Sequence, residues 1–449
     1  MTISKTLKVA ALTAALALSS TAVFATDYTI SVWAGGTGES SHYRVDNIEI
    51  AADLMMREAA VRGEELNITV EKKIFSGWDD FKQAFTLAAE SGTAPNIAVT
   101  GHEDIAPWSQ AGLIRPIEDY IDLDAWPVNS IYPNLIEISS FNGQVWGLPQ
   151  DAESRPFFFY KPHLKAIGYT DEQIDALPEK VLAGEYTLYN ALDDAKKMQD
   201  AGLVEAGKGF SPRVSNGPDY WQFYVSFGGE ILDEETGKLV FNKQAMTDMY
   251  QFFSDAVKMG VTSATHLGSD WGQWYNEVAN GKAGTWHGGT WHYGRYIKEG
   301  QEDFFGNIQF TLIPAGNKNG KANTVTHPLV YLVSSTGDDA VAEVAANLIS
   351  IASEPRLNTL HAIASSHLGI SDAQASIPLY ANDRWASEAT ERLLPHAVSM
   401  PNSTEFGAFW NIMFKGLEAS WTGQKSVADA VAEVEAEYKS TMADAIIIK

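Results

Sequence analysis

Residues 96–121 read NIAVTGHEDIAPWSQAGLIRPIEDYI, a stretch that joins a short apolar segment to a polar loop. The segment NIAVT follows Pro95 and has the length and composition of a buried strand. The loop GHED comes directly after that strand. In open α/β sheets, ligands bind at the carboxyl ends of parallel strands, so Glu103 in this loop is a candidate binding residue.

The residues before this stretch alternate between strands and helices. Strand patterns occupy TDYTISVWAGG (26–36) and LNITVEKKIF (66–75). Apolar residues recur at helical spacing over 46–62, and FKQAFTLAAESG (81–92) reads as a second amphipathic helix. Together with the strand NIAVT, this rhythm predicts a parallel sheet joined by crossover helices.

Helices dominate the second half of the chain. The aromatic segment FFFYK (157–161) reads as a short buried strand, but helical spacing prevails from about residue 186 onward. We predict helices over 338–353 and 426–440, the second beginning at Ser426 with Asp429 at capping-box spacing. No flexible linker separates two halves, so short crossings are expected to join them.

The first 25 residues have the features of a secretory signal. They carry two lysines, no acid, an apolar run, and small residues at Val23 and Ala25 that suit signal-peptidase cleavage. The chain contains no cysteine, which leaves neither a disulfide nor a thiol for lipidation. We expect a soluble periplasmic protein with no stable membrane insertion.

Charge and size narrow the possibilities further. The formal net charge is −25, which disfavours nucleic acid and anionic membrane surfaces as partners. After loss of the signal more than about 400 residues remain, beyond the roughly 250–300 at which one core usually divides. Two lobes are therefore expected.

Tryptophan is unusually abundant, with 13 residues, and many lie beside glycine, proline or polar neighbours. The segment TWHGGTWHYG (285–294) places two of them around a Gly-Gly pair. Core filling is one explanation. The other is sugar binding, because the apolar C–H face of a pyranose suits an open aromatic ring flanked by carboxylates and amides.

Other chemistries lack their usual sequence support. His287 and His292 do not form a metal pattern, because a zinc site needs three or four convergent ligands, so neither a metal nor a cofactor is expected. No nucleophile elbow, phosphate loop or dinucleotide fingerprint occurs. Acidic pairs such as Asp79 and Asp80 do not exclude a glycosidase, because sequence alone cannot show whether two carboxyl groups face each other across a glycosidic bond.

Four motifs in order carry a family resemblance. They are NIAVTGHEDIAPWSQAGLIRPIEDYI (96–121), FNGQVWGLPQDAESRPFFFYKPHL (141–164), NGKAGTWHGGTW (280–291) and TEFGAFWNIMFKGLEASWTGQKSVADAVAEV (404–434). The sequence thereby resembles, along essentially the whole mature chain, the family 1 extracellular solute-binding proteins of ABC importers. The resemblance implies an α/β, two-lobe periplasmic binding protein fold (type II) with a ligand cleft between the lobes.

The resemblance also implies a division of the chain. The signal peptide would occupy 1–25, the N-terminal lobe 26–142 plus about 320–380, and the C-terminal lobe 143–318 plus about 381–449. Hinge crossings are expected near Gly143, Lys318 and Asn382.

Carried over by position, the resemblance implies a set of ligand-binding residues. Glu103 would bond sugar hydroxyls, Trp291 and Trp410 would stack on the sugar, and Gly289 would let the backbone approach it. The remaining candidates have weaker support: Asp151 and Arg155 in the first crossing, and Ser40, Ser41 and His42 in a loop after the first strand. Thr100 and Phe414 replace an aromatic residue and an arginine of maltose-binding members, so the ligand is not expected to be simply maltose.

The resemblance implies that the protein captures a carbohydrate or polyol and delivers it to the permease subunits of an ABC importer. It also implies a monomer without enzymatic activity. Two alternatives remain. The protein could bind an anionic sugar derivative or a compatible solute, since aromatic boxes also hold quaternary ammonium groups. It could also be a secreted glycoside hydrolase that uses Glu103 and a second acid.

Overall fold

The structure is a computed structural model that describes residues 26–36 and 40–449. The predicted signal peptide lies outside these residues. The strands of the described part are β1 Thr26–Ala34, β2 Leu66–Ile74, β3 Ile97–Gly101, β4 Ile114–Arg115, β5 Ser140–Phe141, β6 Gln144–Val145, β7 Gly147–Pro149, β8 Phe157–Tyr160, β9 Leu239–Phe241, β10 Thr285–His287, β11 Ile308–Thr311, β12 Thr324–Thr326, β13 Leu329–Ser334, β14 Ala397–Ser399 and β15 Ile446–Ile448.

The helices connect these strands and form most of the C-terminal half. They are α1 Ser40–Val61, α2 Trp78–Glu90, α3 Ile105–Gln110, α4 Pro133–Ile138, α5 Lys161–Ala166, α6 Asp171–Asp175, α7 Leu177–Leu182, α8 Leu188–Asp200, α9 Asp219–Ser226, α10 Lys243–Lys258, α11 Trp271–Ala279, α12 His292–Lys298, α13 Phe304–Asn307, α14 Asp339–Ala352, α15 Pro355–Ser365, α16 Pro378–Ala381, α17 Arg384–Leu393, α18 Phe406–Trp421 and α19 Val427–Met442.

The predicted elements of the N-terminal region are confirmed, with one correction. The segment containing Ser40, Ser41 and His42 was expected to be a loop, but α1 already begins at Ser40 rather than near residue 46. The predicted cap of the last long helix is present, because the Ser426 hydroxyl accepts a hydrogen bond from the Asp429 amide.

The larger sheet has the strand order β2-β1-β3-β13-β4, and β7 also pairs with β13. Strands β1, β2 and β3 are mutually parallel, as predicted, whereas β13 runs antiparallel to β3, β4 and β7. The C-terminal ends of β3 and β7 and the N-terminal end of β13 therefore lie at one edge of the sheet. Glu103 follows β3 at this edge.

Both faces of the larger sheet are covered. Alternate residues of β3 and β13 point to opposite sides: Val99 and Tyr331 join the core shared with α1 and α14, while Ala98 and Leu332 join a second cluster. That second cluster contains Phe85 of α2. The sheet is therefore the middle layer of a helix–sheet–helix arrangement.

The smaller sheet has β8 in its centre, between β10 and β11. Phe157, Phe158 and Phe159 of β8 are completely buried, which confirms that the FFFY segment is not an edge strand. Phe158 stacks on Trp286 of β10 at a ring-centroid distance of 5.5 Å. Tightly packed aromatic rings thus form the core of this half of the molecule.

Short segments cross between the two sheets. Pro149 still pairs in the larger sheet and Phe157 begins the smaller one, so the chain crosses over residues 150–156. Ala152 in this crossing exchanges two backbone hydrogen bonds with Leu368, at 3.0 and 3.1 Å. The exact division of the chain between the two lobes stays a prediction.

The helices were also compared with the requirements of a membrane span. Within residues 26–36 and 40–449, none of them is both long enough and apolar enough to cross a bilayer.

Candidate functional site

Glu103 lies in a 3-10 turn, His102–Asp104, that directly follows β3. Its carboxylate contacts Lys82 Nζ of α2 at 2.6 Å and His327 Nε2 at 3.0 Å. Gly101 permits this arrangement, because a Cβ at that position would lie 2.0 Å from Glu103 Oε2. The glutamate is thus held at the edge of the larger sheet, with about a fifth of its side chain exposed.

Two adjacent carboxyls here share one ammonium group. Burial alone would raise the pKa of Glu103, but Lys82 and His327 hold it well below its usual value. Burial raises the pKa of Asp104 to about 6, and the neighbouring Glu103 adds to that rise, although Lys82 lies 2.9 Å from Asp104. Glu103 therefore ionises before Asp104 as the pH rises.

Trp410 of α18 reaches the same edge from the other half of the chain. Its half-buried ring lies 6.0 Å from the ring of His327, which in turn contacts Glu103. The Trp410 indole N–H donates to the side-chain oxygen of Asn216. One face of this site therefore combines a carboxylate, an imidazole and an indole from three separate segments.

Trp291 immediately precedes α12 and is also half-buried. A Cβ on Gly289 would lie 2.2 Å from the Trp291 ring. A Cβ on Gly288 would likewise lie 2.2 Å from His292 Nδ1. The Gly-Gly pair is thus required because two rings fold back against the backbone.

The Trp291 ring is surrounded by charged and polar groups. The guanidinium carbons of Arg155 and Arg213 lie 5.1 and 5.7 Å from its centroid. His367 stacks on it at 5.6 Å with an interplanar angle of 16°. These contacts hold the indole in a polar crevice rather than in an apolar core.

An ion network supports the two arginines. Arg155 lies 2.7 Å from Glu153 and 3.3 Å from Asp219, and Arg213 lies 3.0 Å from Asp219. Burial opposes the charge of Asp219, but Arg213 and Arg155 hold its pKa below the usual value. The two arginines are therefore largely neutralised within the protein.

A second polar group lies deeper, where the chain crosses between the sheets. Asp151 is completely buried and contacts His361 Nε2 at 3.4 Å and His367 Nε2 at 3.9 Å. Burial alone would raise the pKa of Asp151, but His367 and His361 hold it below its usual value. Among the described residues, this group and the group of His102, Glu103 and His327 have the geometry to hold a metal ion.

The crevice thus offers two partly exposed indoles, one of which stacks on His367, together with fixed carboxylates, guanidinium groups and amides. Aromatic faces match the C–H surface of a sugar ring, and fixed polar groups match its hydroxyls. Trp291 and Trp410 border the same loop, because Arg213 lies over the first ring and Asn216 accepts a hydrogen bond from the second. The two rings come from segments that are distant in sequence.

Comparison with known protein families gives a match over residues 59–353, to the family described as bacterial extracellular solute-binding protein. The chain belongs to this family. The predicted family relationship is therefore confirmed.

Solved structures show the same fold as this solute-binding protein. The maltose-bound MalE3 of T. maritima has a TM-score of 0.75 and 18% identity, covering 92% of this chain and 100% of that one. The GacH receptor of Streptomyces glaucescens, solved unliganded and with acarbose, has a TM-score of 0.73 and 16% identity, covering 93% and 98%. The predicted α/β two-lobe fold is confirmed.

A curated relative matches part of the solute-binding protein. The maltotriose-binding protein of Pyrococcus abyssi is 20% identical over 184 residues, which are 41% of this chain and 36% of the relative. The match therefore spans about a third of that relative's length.

The remaining predicted binding residues lie in different environments. His42 is exposed on α1, whereas the side chains of Ser40 and Ser41 lie outside the described part of the protein. Asp151 and Arg155 are buried in the first crossing, and Arg155 bonds acidic side chains. That these residues contact ligand stays a prediction.

Several polar residues of the crevice were not singled out as binding residues from the sequence. They are Lys82, Arg213, Asn216, Asp219, His327 and His367. Most of them lie in loops whose sequences contain no recognisable motif. Lys82 lies on a helix, where the spacing of apolar residues predicts which side is buried but not which polar residues reach the site. Only the folded chain brings them to the candidate residues.

Proposed function

We propose that this solute-binding protein captures a carbohydrate, either a sugar, an oligosaccharide or a polyol, in the cleft between its lobes. The observation that carries the proposal is the placement of Trp291 and Trp410. Both rings are half-open and border the same loop, next to fixed carboxylates and amides. Buried core tryptophans, such as Trp221 and Trp286, lack this combination.

Binding would favour the closed form of the two lobes. Glu103 extends from the larger sheet, whereas Trp410 and Asn216 belong to the helical half of the chain. A ligand that touches both sets gains its full contacts only when the lobes approach. It therefore shifts the protein from open to closed by its differential affinity for the two states.

The charge pattern favours a neutral ligand over an anionic one. Arg155 and Arg213 lie over Trp291, which would suit a phosphate or sulfonate, but both are already paired with Glu153 or Asp219. A neutral polyol can bond the remaining donors and acceptors without breaking these ion pairs.

The closed complex would deliver its ligand to the permease subunits of an ABC importer. In this proposal the protein is exported through its N-terminal signal and acts in the periplasm as a monomer. The family relationship supports this destination. Several similar solved proteins bind sugars according to their descriptions, including maltose, acarbose and maltotriose, which supports the ligand class.

The proposal is tested by titrating intrinsic tryptophan fluorescence with neutral saccharides, polyols, sugar phosphates and betaines. We expect saturable changes with a neutral saccharide or polyol, and weaker affinity after Trp291→Ala or Glu103→Gln. Trp126, with 59% of its surface exposed, provides the control Trp126→Ala, which should bind normally. A response confined to sugar phosphates or to betaines would refute the carbohydrate assignment in favour of the corresponding alternative.

The enzyme alternative has its own test. Incubation of the purified protein with chromogenic glycosides should release no product beyond the buffer rate. Release that is lost in Glu103→Gln would overturn the binding-protein proposal and establish a hydrolase.

A further inference from the structure

We propose that Asp151, His361 and His367 form a binding site for a divalent transition-metal ion, with Zn²⁺ as the best match. The three residues belong to two segments, the first crossing and the region at and just after the end of α15. None of them has more than 1% of its surface exposed. The site adjoins the proposed sugar surface, because Trp291 stacks on His367 and Asp151 is itself a predicted sugar contact, but metal binding does not require a bound sugar.

The ligand atoms have suitable spacing. Asp151 Oδ2 lies 3.4 Å from His361 Nε2 and 3.9 Å from His367 Nε2, and all three ligand atoms lie within 4.8 Å of one another. Zinc bonds nitrogen and oxygen at about 2.0–2.2 Å, so ligand atoms of a tetrahedral site lie roughly 3.3 Å apart. A small contraction would bring the three atoms onto one ion.

The hydrogen-bond partner of His361 determines which of its nitrogens is available. Its Nδ1 lies 3.1 Å from the backbone oxygen of Tyr43, which can only accept, so Nδ1 carries the proton. In the neutral ring Nε2 then directs its lone pair at the Asp151 carboxylate, 3.4 Å away. A lone pair facing a carboxylate is unfavourable, so either a second proton on His361 or a metal ion must lie between the two groups.

His367 is left without a hydrogen-bond partner. Both of its ring nitrogens are buried and make no hydrogen bond, which is costly in the protein interior. Protonation of both histidines would place two like charges on rings that stack 5.9 Å apart. A metal ion would instead bind Nε2 of His361 and Nε2 of His367. Glu153 Oε1 lies 3.4 Å from His367 Nε2, but the Glu153 carboxylate is already paired with Arg155.

Outer contacts orient two of the ligands. The second carboxylate oxygen of Asp151 accepts the Leu329 amide at 3.2 Å, and His361 donates to the Tyr43 carbonyl. Ligands of protein metal sites are commonly held in this way. Two imidazoles also favour zinc and similar metals over Mg²⁺ or Ca²⁺, which prefer oxygen.

The other histidine–carboxylate group is less suited to a cation. Lys82 Nζ lies 2.6 Å from Glu103 and 2.9 Å from Asp104, so an ammonium group already neutralises that site. Among the described residues, no lysine or arginine lies within ion-pair distance of Asp151, whose ionic contacts are the two histidines. A metal ion is therefore expected at Asp151 first.

A bound ion would fasten the first crossing to the segment after α15, which are already joined by the Ala152–Leu368 hydrogen bonds. It would also fix the ring of His367, against which Trp291 stacks. The metal would thus act as a structural clamp beside the cleft, and it would add to thermal stability by binding the folded state only.

The test measures Zn²⁺ binding to the whole protein after removal of metals with EDTA and dialysis. Zn²⁺ is then added back, and we expect elemental analysis to find about one bound Zn²⁺ per chain. Competition against a chromophoric chelator gives the affinity of the protein for Zn²⁺. His367→Ala and Asp151→Asn should each weaken that affinity by about 100-fold or more, beyond the loss typical of outer contacts. His396→Ala, which removes a histidine outside both groups, should bind Zn²⁺ like the unaltered protein.

Two further measurements keep the proposal falsifiable if a buried variant fails to fold. The Co²⁺ form of the unaltered protein should show the intense visible bands of a tetrahedral site, and His327→Ala should leave them unchanged. The proposal is overturned if the unaltered protein binds no Zn²⁺, if its Co²⁺ bands are weak and octahedral, or if His327→Ala abolishes binding. Sugar titrations are separate, so either proposal can fail without the other.

Discussion

Trp286 and Trp291 stand on opposite sides of one Gly-Gly pair but lie in contrasting environments. Trp286 is completely buried, stacks on Phe158, and donates its indole N–H to Tyr296 at 2.9 Å. Trp291 is half-open and faces Arg155 and His367. The first ring belongs to the core of the smaller sheet, and the second belongs to the crevice.

This contrast separates residues that stabilise the fold from residues that are available to a ligand. In the core, rings pack on rings, and the Trp286 indole N–H has a hydroxyl partner. In the crevice, Arg155 Nη1 is buried without a hydrogen-bond partner. Such locally unfavourable groups are expected at binding sites, where stability is exchanged for recognition.

The largest expected effect is on stability in the core. Trp286→Ala should lower the free energy of unfolding by about 3–5 kcal/mol, because it leaves a large cavity and removes the hydrogen bond that the indole N–H donates to the Tyr296 hydroxyl. Trp291→Ala should lower it by less than about 1.5 kcal/mol, since its ring is half-open. Urea denaturation of the two variants measures the difference. Equal losses would remove the distinction between core and crevice.

The next effect concerns a buried charge in the crevice. The pKa of Asp104 in the folded protein, about 6, exceeds the ordinary aspartate value of 3.8, so ionisation of Asp104 destabilises the folded state as pH rises through that interval. The variant Asp104→Asn cannot ionise at this position, so it does not lose this stability. Its stability relative to the unaltered protein should therefore improve by about 1–2 kcal/mol from pH 5 to pH 8.

Denaturation of both proteins at the two pH values checks this prediction. Glu103 and Lys82 interact with Asp104, but the pKa of Glu103 is lowered and that of Lys82 is raised, so neither titrates between pH 5 and pH 8. A relative stability that is constant would show that Asp104 titrates normally, and one that falls with rising pH would show that its pKa is lowered.

A third prediction concerns the second indole of the crevice, Trp410. Trp410→Ala should weaken binding of the best saccharide by about 10- to 100-fold, as expected for loss of a stacking ring that contributes about 1.5–3 kcal/mol. Trp410→Phe should lose less, because it keeps a ring and removes only the hydrogen bond to Asn216. Calorimetric titration measures both. Equal losses would assign the effect to the hydrogen bond.

The smallest expected effect tests why the segment contains glycine. Gly289→Ala should displace the Trp291 ring and weaken binding by up to about tenfold, because the new Cβ would overlap the indole. Gly407→Ala is the matched control, since a Cβ there meets nothing within 4 Å. If both variants bind normally, the glycine does not position the ring.

The sequence alone was sufficient for much of the fold. Periodicity located β1, β2, β3, α2 and α14 because each has a local pattern of apolar residues. It placed the start of α1 too late, because the polar residues before Asp46 give no apolar repeat. Boundaries of this kind depend on tertiary contacts rather than on local pattern.

The candidate site could be predicted only in part. Glu103, Trp291 and Trp410 lie in motifs that the sequence displays, and the structure brings their surroundings together. Arg213 and Asp219 could not be found in this way, because the ion pair of Asp219 with Arg155 joins segments that are far apart in the chain. Nor does local pattern reveal that His361 and His367 converge on Asp151.

The central claim is that the crevice tryptophans form the surface on which a saccharide stacks, and one fluorescence experiment tests it most directly. The unaltered protein and the double variant Trp291→Ala/Trp410→Ala are titrated with the same panel of neutral saccharides and polyols. We predict saturable binding to the unaltered protein and none to the double variant, with both remaining folded by circular dichroism. Undiminished binding by the folded double variant would contradict the account.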